Sequence, residues 1–409
     1  MMNKLTRRQL LLYSAFGFSA IASVAAARHR YTERPQQFAA LEIDQLERLR
    51  QSDLSLKEKA QEKGIVYGTF PEATDEQAAQ DLQFQSYLVR ECQLLAAGDV
   101  WGVFYPDSLE SPYWQNIDYF RQFAFDHQLL FKLDAAVWHE FLPIWLMEKF
   151  KDRQTTSTEI AHILRTMVQG VGQRYGAKAY AWSVVNEAIN PDDGRDDGFR
   201  DTQVSDAMKG GNYPSWLHFL GTDFVELAFE AAAEVAPQTT LIYNDFGLEY
   251  DNPRDEKRRL ALLKMLERLK AKGTPLHALG IQGHLNASLN QQFNATKYRQ
   301  FLRDVADLGL KIQVTELDVA DNWLPTGLDL AARDRLVAEA YYDFLSVALD
   351  EPAVDTVVTW GLSDRYTWLS WFAPREDGSP VRPLPFDAQF NRKLAWSAIA
   401  KAFADAPQR

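Results

Sequence analysis

Eight short apolar runs, each followed by enough periodic, partly polar chain for a helix, recur along most of this sequence. They span 65–69, 94–97, 129–136, 179–186, 240–244, 279–284, 311–316 and 356–360. Runs that are apolar on both faces belong to parallel strands covered by helices. Strands alternating with helices predict an α/β fold. The number of runs then selects the architecture, because eight βα units close into a (β/α)8 TIM barrel. The chain is longer than the roughly 250 residues typical of that fold, which leaves room for long loops. At 46% hydrophobic it can fill both the barrel and the layer beneath its helices. No repeat or low-complexity linker interrupts the alternation, so residues 63–409 are expected to form a single domain. Ahead of it, Phe38, Leu41, Ile43, Leu46, Leu49, Leu54 and Leu56 recur at helical spacing. They predict an N-terminal helical extension over 28–62 that covers the amino end of the barrel.

Several runs end in residues that a buried strand should not carry: Asn186-Glu187, Asn244-Asp245, Gln282 and His284, Glu316, and Trp360. In a barrel all of these ends meet at one face, the face where such folds place their chemistry. Independent turn or cap residues would explain Asn244-Asp245, and an Arg partner would explain Glu187 alone. Two glutamates far apart in sequence and aimed at one pocket suggest glycoside hydrolysis by paired carboxyl groups. In a retaining mechanism one carboxyl donates a proton while the other, about 5–5.5 Å away, attacks the sugar. Glu187 is expected to be the acid/base, since its apolar and aromatic neighbours favour the protonated form. Glu316 is then the nucleophile, with Gln282 and His284 as donors to it and Asn186 bonding the neighbouring ring hydroxyl. His284 read alone could cap a turn. Trp360 is read as an apolar floor under the sugar or as barrel core. Two long loops, 190–216 and 365–385, are expected on the same face, the second carrying Trp368, Trp371 and Phe372.

Charge and rare residues exclude other classes. A net charge of −12 supplies no basic face for nucleic acid and suits an uncharged ligand. The 11 Trp and 16 Tyr suit stacking on sugar rings as well as core packing. The single cysteine, Cys92, rules out an internal disulfide or a cysteine-built metal site. The seven His form no HExxH pair, so neither a catalytic metal nor a cofactor is expected. Residues 1–27 read as an export segment, with Lys4, Arg7 and Arg8 ahead of an apolar run over 10–27 and Ala25-Ala26-Ala27 as a cleavage region. Thr6-Arg7-Arg8-Gln9-Leu10-Leu11 is similar to a twin-arginine signal, with Leu in place of Phe. The basic cluster Arg28-His29-Arg30 would instead allow residues 10–27 to stay as a membrane anchor. The expected product is an exported monomer, periplasmic or extracellular.

The segments LKEKAQEKGIVYGT, VWHEFLPIW, WSVVNEAIN, IYNDFGLE, GIQGHL, VTELDV and TWGLSDRYTWL, in that order over roughly 56–400, resemble glycoside hydrolase family 10, the xylanase family. The resemblance implies a retaining endo-1,4-β-xylanase acting on a polysaccharide. It matches Glu187 to the acid/base, Glu316 to the nucleophile, and Asn186, Gln282 and His284 to their polar support. It also matches Trp138, His139, Trp360 and Trp368 to positions around the sugar sites. The chain departs from the family after the second strand, where Glu, Asn and Lys become Gly98, Asp99 and Gly102. A His at the end of the third strand becomes Asp134, and a Gln becomes Phe141. Lost sugar partners change which substrate is held more than which reaction is run. A different β-glycan, sugar transfer in place of hydrolysis, or a glycan-binding barrel with decayed catalysis are the alternatives.

Overall fold

The computed structural model describes residues 41–97, 112–139, 142–201 and 215–409. The export segment and Gly98, Asp99, Gly102 and Phe141 lie outside these described residues, as do residues 202–214 of the loop after the fourth strand.

Nine strands are described: β1 Val66–Phe70, β2 Leu94–Ala97, β3 Leu130–Leu133, β4 Ala181–Asn186, β5 Thr240–Asp245, β6 Ala278–Ile281, β7 His284–Asn286, β8 Lys311–Ala320 and β9 Val354–Trp360. All pair in parallel, and eight close a ring in the order β1-β2-β3-β4-β5-β6-β8-β9, with β9 returning to β1 over Val66–Phe70. The short β7 pairs with the upper half of β8. This is the expected (β/α)8 barrel. Leu94, Ala96, Val358, Ala181, Ile242 and Ala278 fill its lower interior, small and branched side chains that fit a closed ring. A separate and larger core lies between strands and helices, where Trp182, Tyr243, Phe229, Leu266 and Trp396 are buried.

Helix ends follow from local sequence. Thr156 caps Ser157–Tyr175, and Asn252 caps Pro253–Ala271 with proline in the first turn. Ser55 and Glu58 form a capping box on Leu56–Gln61, the helix that leads into β1. Helix Ile43–Arg50 packs against the C-terminal helix Leu394–Asp405, and Arg392 donates to the carbonyls of Ser52 and Leu54 just beyond it. No described helix is long and apolar enough to cross a membrane.

Three runs end differently from the pattern of apolar residues, each for a physical reason. The third strand stops at Leu133 instead of reaching Ala136, and residues 136–137 swing over to donate to β4. The sixth run breaks at Gly283, whose φ of 75° is open to glycine, so Gln282 sits on the turn between β6 and β7 and His284 opens β7. The seventh continues through Glu316 to Ala320, so this glutamate stands within β8 and not at its end.

Candidate active site

Glu187 directly follows β4, where the pairing with β5 shifts register between Ser183 and Val185. A bulge of this kind re-aims the side chains beyond it. The backbone of Glu187 itself is left-handed, at φ 57°, which costs a non-glycine residue energy unless neighbours hold it there. Its N–H donates to Asn244 O at 2.9 Å, its carbonyl accepts from Arg200 Nε at 3.0 Å, and the next N–H donates to the Tyr243 hydroxyl at 3.0 Å. The carboxyl thereby points into the mouth of the barrel. Oε2 accepts from Trp138 Nε1 at 2.9 Å, while Oε1 accepts from Gln282 Nε2 at 2.9 Å and Asn186 Nδ2 at 3.0 Å.

Glu316 lies beside a second irregularity, where β8 shifts against β9 between Val314 and Leu317. Its Oε1 accepts from Asn244 Nδ2 at 2.7 Å, and the same nitrogen donates to Asn186 Oδ1 at 2.9 Å. The two glutamates are therefore joined by two asparagines, along the sequence of contacts Glu187–Asn186–Asn244–Glu316. Thr315 Oγ1 donates to Asn244 Oδ1 at 2.6 Å, which fixes the amide orientation. On its other side Glu316 Oε2 is 3.2 Å from His284 Nε2, and His284 Nδ1 is 3.0 Å from Asp318 Oδ1. Trp368 Nε1 donates to Asp318 Oδ2 at 2.8 Å and so ties the loop after β9 to the site. Trp360 stacks on Phe70 with ring centroids 4.1 Å apart and stands edge-on to His284 at 6.3 Å, its face half-buried.

The two ends of this chain of contacts differ in charge. Burial pushes the Glu187 carboxyl up from its ordinary value; Arg200, Gln282 and Trp138 draw it back without cancelling the rise, and Asp245 adds to it. Burial disfavours the His284 cation, but Asp318 and then Glu316 outweigh that and hold the imidazole well above its ordinary value. When protonated it donates from both nitrogens, to Asp318 and to Glu316. The loop behind is held by buried ion pairs, among them Arg333 with Asp321 and Lys393 with Asp364 at 2.9 Å, and Arg375 Nη1 donates to Asp321 O at 2.5 Å.

Of the residues singled out from sequence, Asn186, Glu187, Gln282, His284, Glu316, Trp138, Trp360 and Trp368 come together in this cleft. Gln282, however, expected to donate to Glu316, donates to Glu187 and Asn186 instead, because the turn at Gly283 aims it toward β4. His139 is buried, its imidazole held well below its ordinary value by burial and then by Arg200. Its Nε2 has no hydrogen-bond partner among the described residues, and no described contact joins it to the two glutamates. Asp134 faces the barrel interior, where Oδ1 takes both the Lys132 ammonium and the Ser183 hydroxyl, the latter at 2.8 Å. Lys132 Nζ also donates to Ser183 Oγ at 3.0 Å, so the three side chains satisfy one another inside the barrel. Asn244, Asp318, Thr315, Phe70 and Arg200 were not singled out as site residues. Asn244 stood among the polar strand ends but was equally well explained as a turn residue. Asp318 follows Glu316 by two, the strand repeat that puts both on one face, and a run thought to end at Glu316 hides it. Among the described residues no group of three or more His, Cys, Asp or Glu could hold a metal ion.

A model of glycosyl hydrolase family 10 matches residues 55–402. The chain is 31% identical over 285 residues to a beta-1,4-xylanase of Dictyoglomus thermophilum, covering 68% of this chain and 72% of that protein. It is 28% identical over 302 residues to endo-1,4-beta-xylanase C of Paenibacillus barcinonensis, a protein of which it spans only 26%, and it spans 55% of endo-1,4-beta-xylanase 1 of Humicola insolens. Among solved structures it superimposes on native xylanase 10B from Thermotoga maritima with a TM-score of 0.72 at 25% identity, covering 86% of this chain and 98% of that one. The same score, identity and coverage hold for xylanase 10B from Thermotoga petrophila RKU-1 in complex with xylobiose. With an eight-stranded parallel barrel, two glutamates joined across its mouth and a family match over most of its length, the chain belongs to glycosyl hydrolase family 10.

Proposed function

We propose that this protein is a retaining glycoside hydrolase that cleaves internal β-1,4 linkages of xylan or a closely related β-glycan. The observation that carries the reading is the pair Glu187 and Glu316, held on one wall by Asn186 and Asn244, with burial raising the first and the His284 imidazole touching the second. In the first step the Glu187 O–H protonates the bridging oxygen as the Glu316 carboxylate attacks the anomeric carbon. The bond to the leaving sugar breaks and a glycosyl ester on Glu316 forms. In the second step the Glu187 carboxylate takes a proton from water, whose oxygen displaces Glu316 and restores the original configuration. Asn244 and His284 keep Glu316 aimed through both steps. Trp360, stacked on Phe70, offers the flat apolar surface on which the sugar at the reacting position rests. The relatives named xylanases and the xylobiose complex of one structural neighbour support xylan as substrate. We further propose that residues 1–27 direct export of a monomer by the twin-arginine route.

Incubation with xylan and with aryl β-xylosides, following products and anomeric configuration, tests the reading. The expected outcome is cleavage with retention. Glu316→Gln is expected to abolish turnover, a loss on the order of 10⁴-fold or more. Glu187→Gln is expected to lose about 10²–10⁴-fold, most for poor leaving groups that need protonation. Ordinary activity in either variant, with the fold intact, overturns the assignment.

A further inference from the structure

Arg200 enters the site from the loop after β4, where Ile189 and Phe199 pair as an antiparallel bridge and the Arg200 N–H donates to Ala188 O at 2.8 Å. Its side chain is 3% exposed. Nε donates to the main-chain carbonyl of Glu187 at 3.0 Å, and Nη2 lies 3.7 Å from the Glu187 carboxylate oxygen Oε2. One guanidinium therefore hydrogen-bonds the backbone of a residue in a left-handed conformation and stands within ion-pair range of its carboxylate. From this geometry we propose that Arg200 is a positioning residue for the acid/base step: it clamps Glu187 in its strained backbone conformation and sets the pH at which that carboxyl gives up its proton. The proposal rests on the reading of Glu187 as the acid.

The grip has two separable consequences. The contact to the carbonyl is geometric and supports a φ of 57° that β-strand pairing alone does not fix. The contact to the carboxyl is electrostatic: a cation within about 4–6 Å stabilises the ionised form, here against burial. The other charged or titratable groups around Glu187 are few. Asp245 on β5 is already paired to Arg258 at 3.1 Å, His139 beyond Trp138 is held neutral, and Glu316 with His284 is reached only through the two asparagines. Trp138, Gln282 and Asn186 contribute neutral donors. Arg200 is thus the nearest positive charge to the acid among the described residues.

The test is the pH profile of kcat/KM on an aryl β-xyloside for the parent, Arg200→Met, Arg200→Lys and Glu187→Gln, each checked for folding by circular dichroism. In Arg200→Met the alkaline limb, where Glu187 loses its proton, is expected to move up by about one pH unit, the low end for removal of an opposite charge at this range. Below the limb kcat is expected to fall about tenfold through loss of the clamp, with KM changing less. Arg200→Lys keeps a cation but not the fork, so its limb is expected near the parent's while the fall in kcat remains. An alkaline limb unmoved in Arg200→Met overturns the proposal. If Arg200→Met does not fold, Arg200→Lys decides, since full kcat with the parent profile would overturn the clamp. The limb should vanish in Glu187→Gln. Its persistence there would overturn the reading of Glu187 as the acid, a failure distinct from that of Arg200.

Discussion

Asn244 donates one amide nitrogen to Asn186 and to Glu316 while its oxygen is held by Thr315, so a single neutral side chain sets the spacing of two carboxyl groups. A hydrogen bond to a charged group contributes about 1.5–3 kcal/mol, roughly 10- to 150-fold in rate when it must be present in the transition state. Asn244→Ala is accordingly expected to lower kcat/KM on an aryl β-xyloside by that range, chiefly through kcat. Asn244→Asp should cost more, because it replaces the donor to Glu316 Oε1 with a like charge at hydrogen-bond distance. A variant with parental kcat would mean that Glu316 is aimed by other contacts. The reach of sequence reasoning at this scale follows from what each residue interrupts. Glu187 and Glu316 stand out because a charge in or at the end of an apolar run needs an explanation. Asn244 interrupts its run just as plainly, yet asparagine is also a common turn residue, and only its contacts distinguish the two roles. Arg200 lies in a loop rich in Asp and Gly, where an arginine is ordinary, so nothing in the sequence marks it.

At the scale of elements, the strands hold this arrangement open as much as they hold it together. On β6 the glycine at position 280 faces the barrel interior, and a Cβ built there would fall 2.3 Å from Asn244 Oδ1 and 3.0 Å from both Ile242 Cγ2 and Thr315 Cγ2. Glycine weakens a strand in general, so its presence here reflects the room that Asn244 needs. Gly280→Ala should therefore push the Asn244 amide off both glutamates: kcat/KM is expected to fall by about 10²-fold, with a stability loss of about 1–3 kcal/mol from overpacking. Measuring both in one preparation decides the cause. Loss of activity per folded molecule alongside the lowered melting midpoint fits the displaced amide, and loss of stability with full activity per folded molecule contradicts it. Periodicity found all eight barrel strands because burial on both faces leaves long apolar runs. It could not find the register shifts in β4 and β8, nor the turn at Gly283 that separates β6 from β7, since these depend on which strand lies alongside. Those irregularities are what aim Glu187, His284 and Glu316.

For the whole molecule, the burial that prepares the acid also shapes how stability depends on pH. Besides Glu187, the buried Asp245 is raised chiefly by burial, Asp364 is raised to about 6, and Glu249 is raised to about 7. A carboxyl whose folded value lies above its unfolded one keeps a proton that the unfolded chain has released. Stability from such a group is full at acid pH and falls as pH rises between the two values, by about 1.4 kcal/mol per unit per proton. His284 acts in the same direction at higher pH: its folded value is raised, so its contribution is present below about 6.5 and is lost as pH rises through the folded value. Opposing them are Asp81, Asp118, Asp197, Asp251 and Asp387, lowered in the fold by Arg, Lys, Asn, Tyr or backbone donors. Their contribution is lost only as pH falls below about 4. Stability is therefore expected to peak at about pH 4 to 4.5, just above the range in which the lowered aspartates lose their contribution, with a melting midpoint at pH 8.5 several degrees below that at pH 5. Glu249 offers the sharpest check, because it accepts from the backbone N–H of Leu248 at 2.8 Å and of Gly283 at 3.2 Å and lies outside the chemistry. Glu249→Gln removes one of these protons, so the decline in unfolding free energy from pH 5 to 7 should become shallower by about 1.4 kcal/mol per pH unit where that group titrates. A variant with the parent's slope would show that this carboxyl does not hold its proton in the fold.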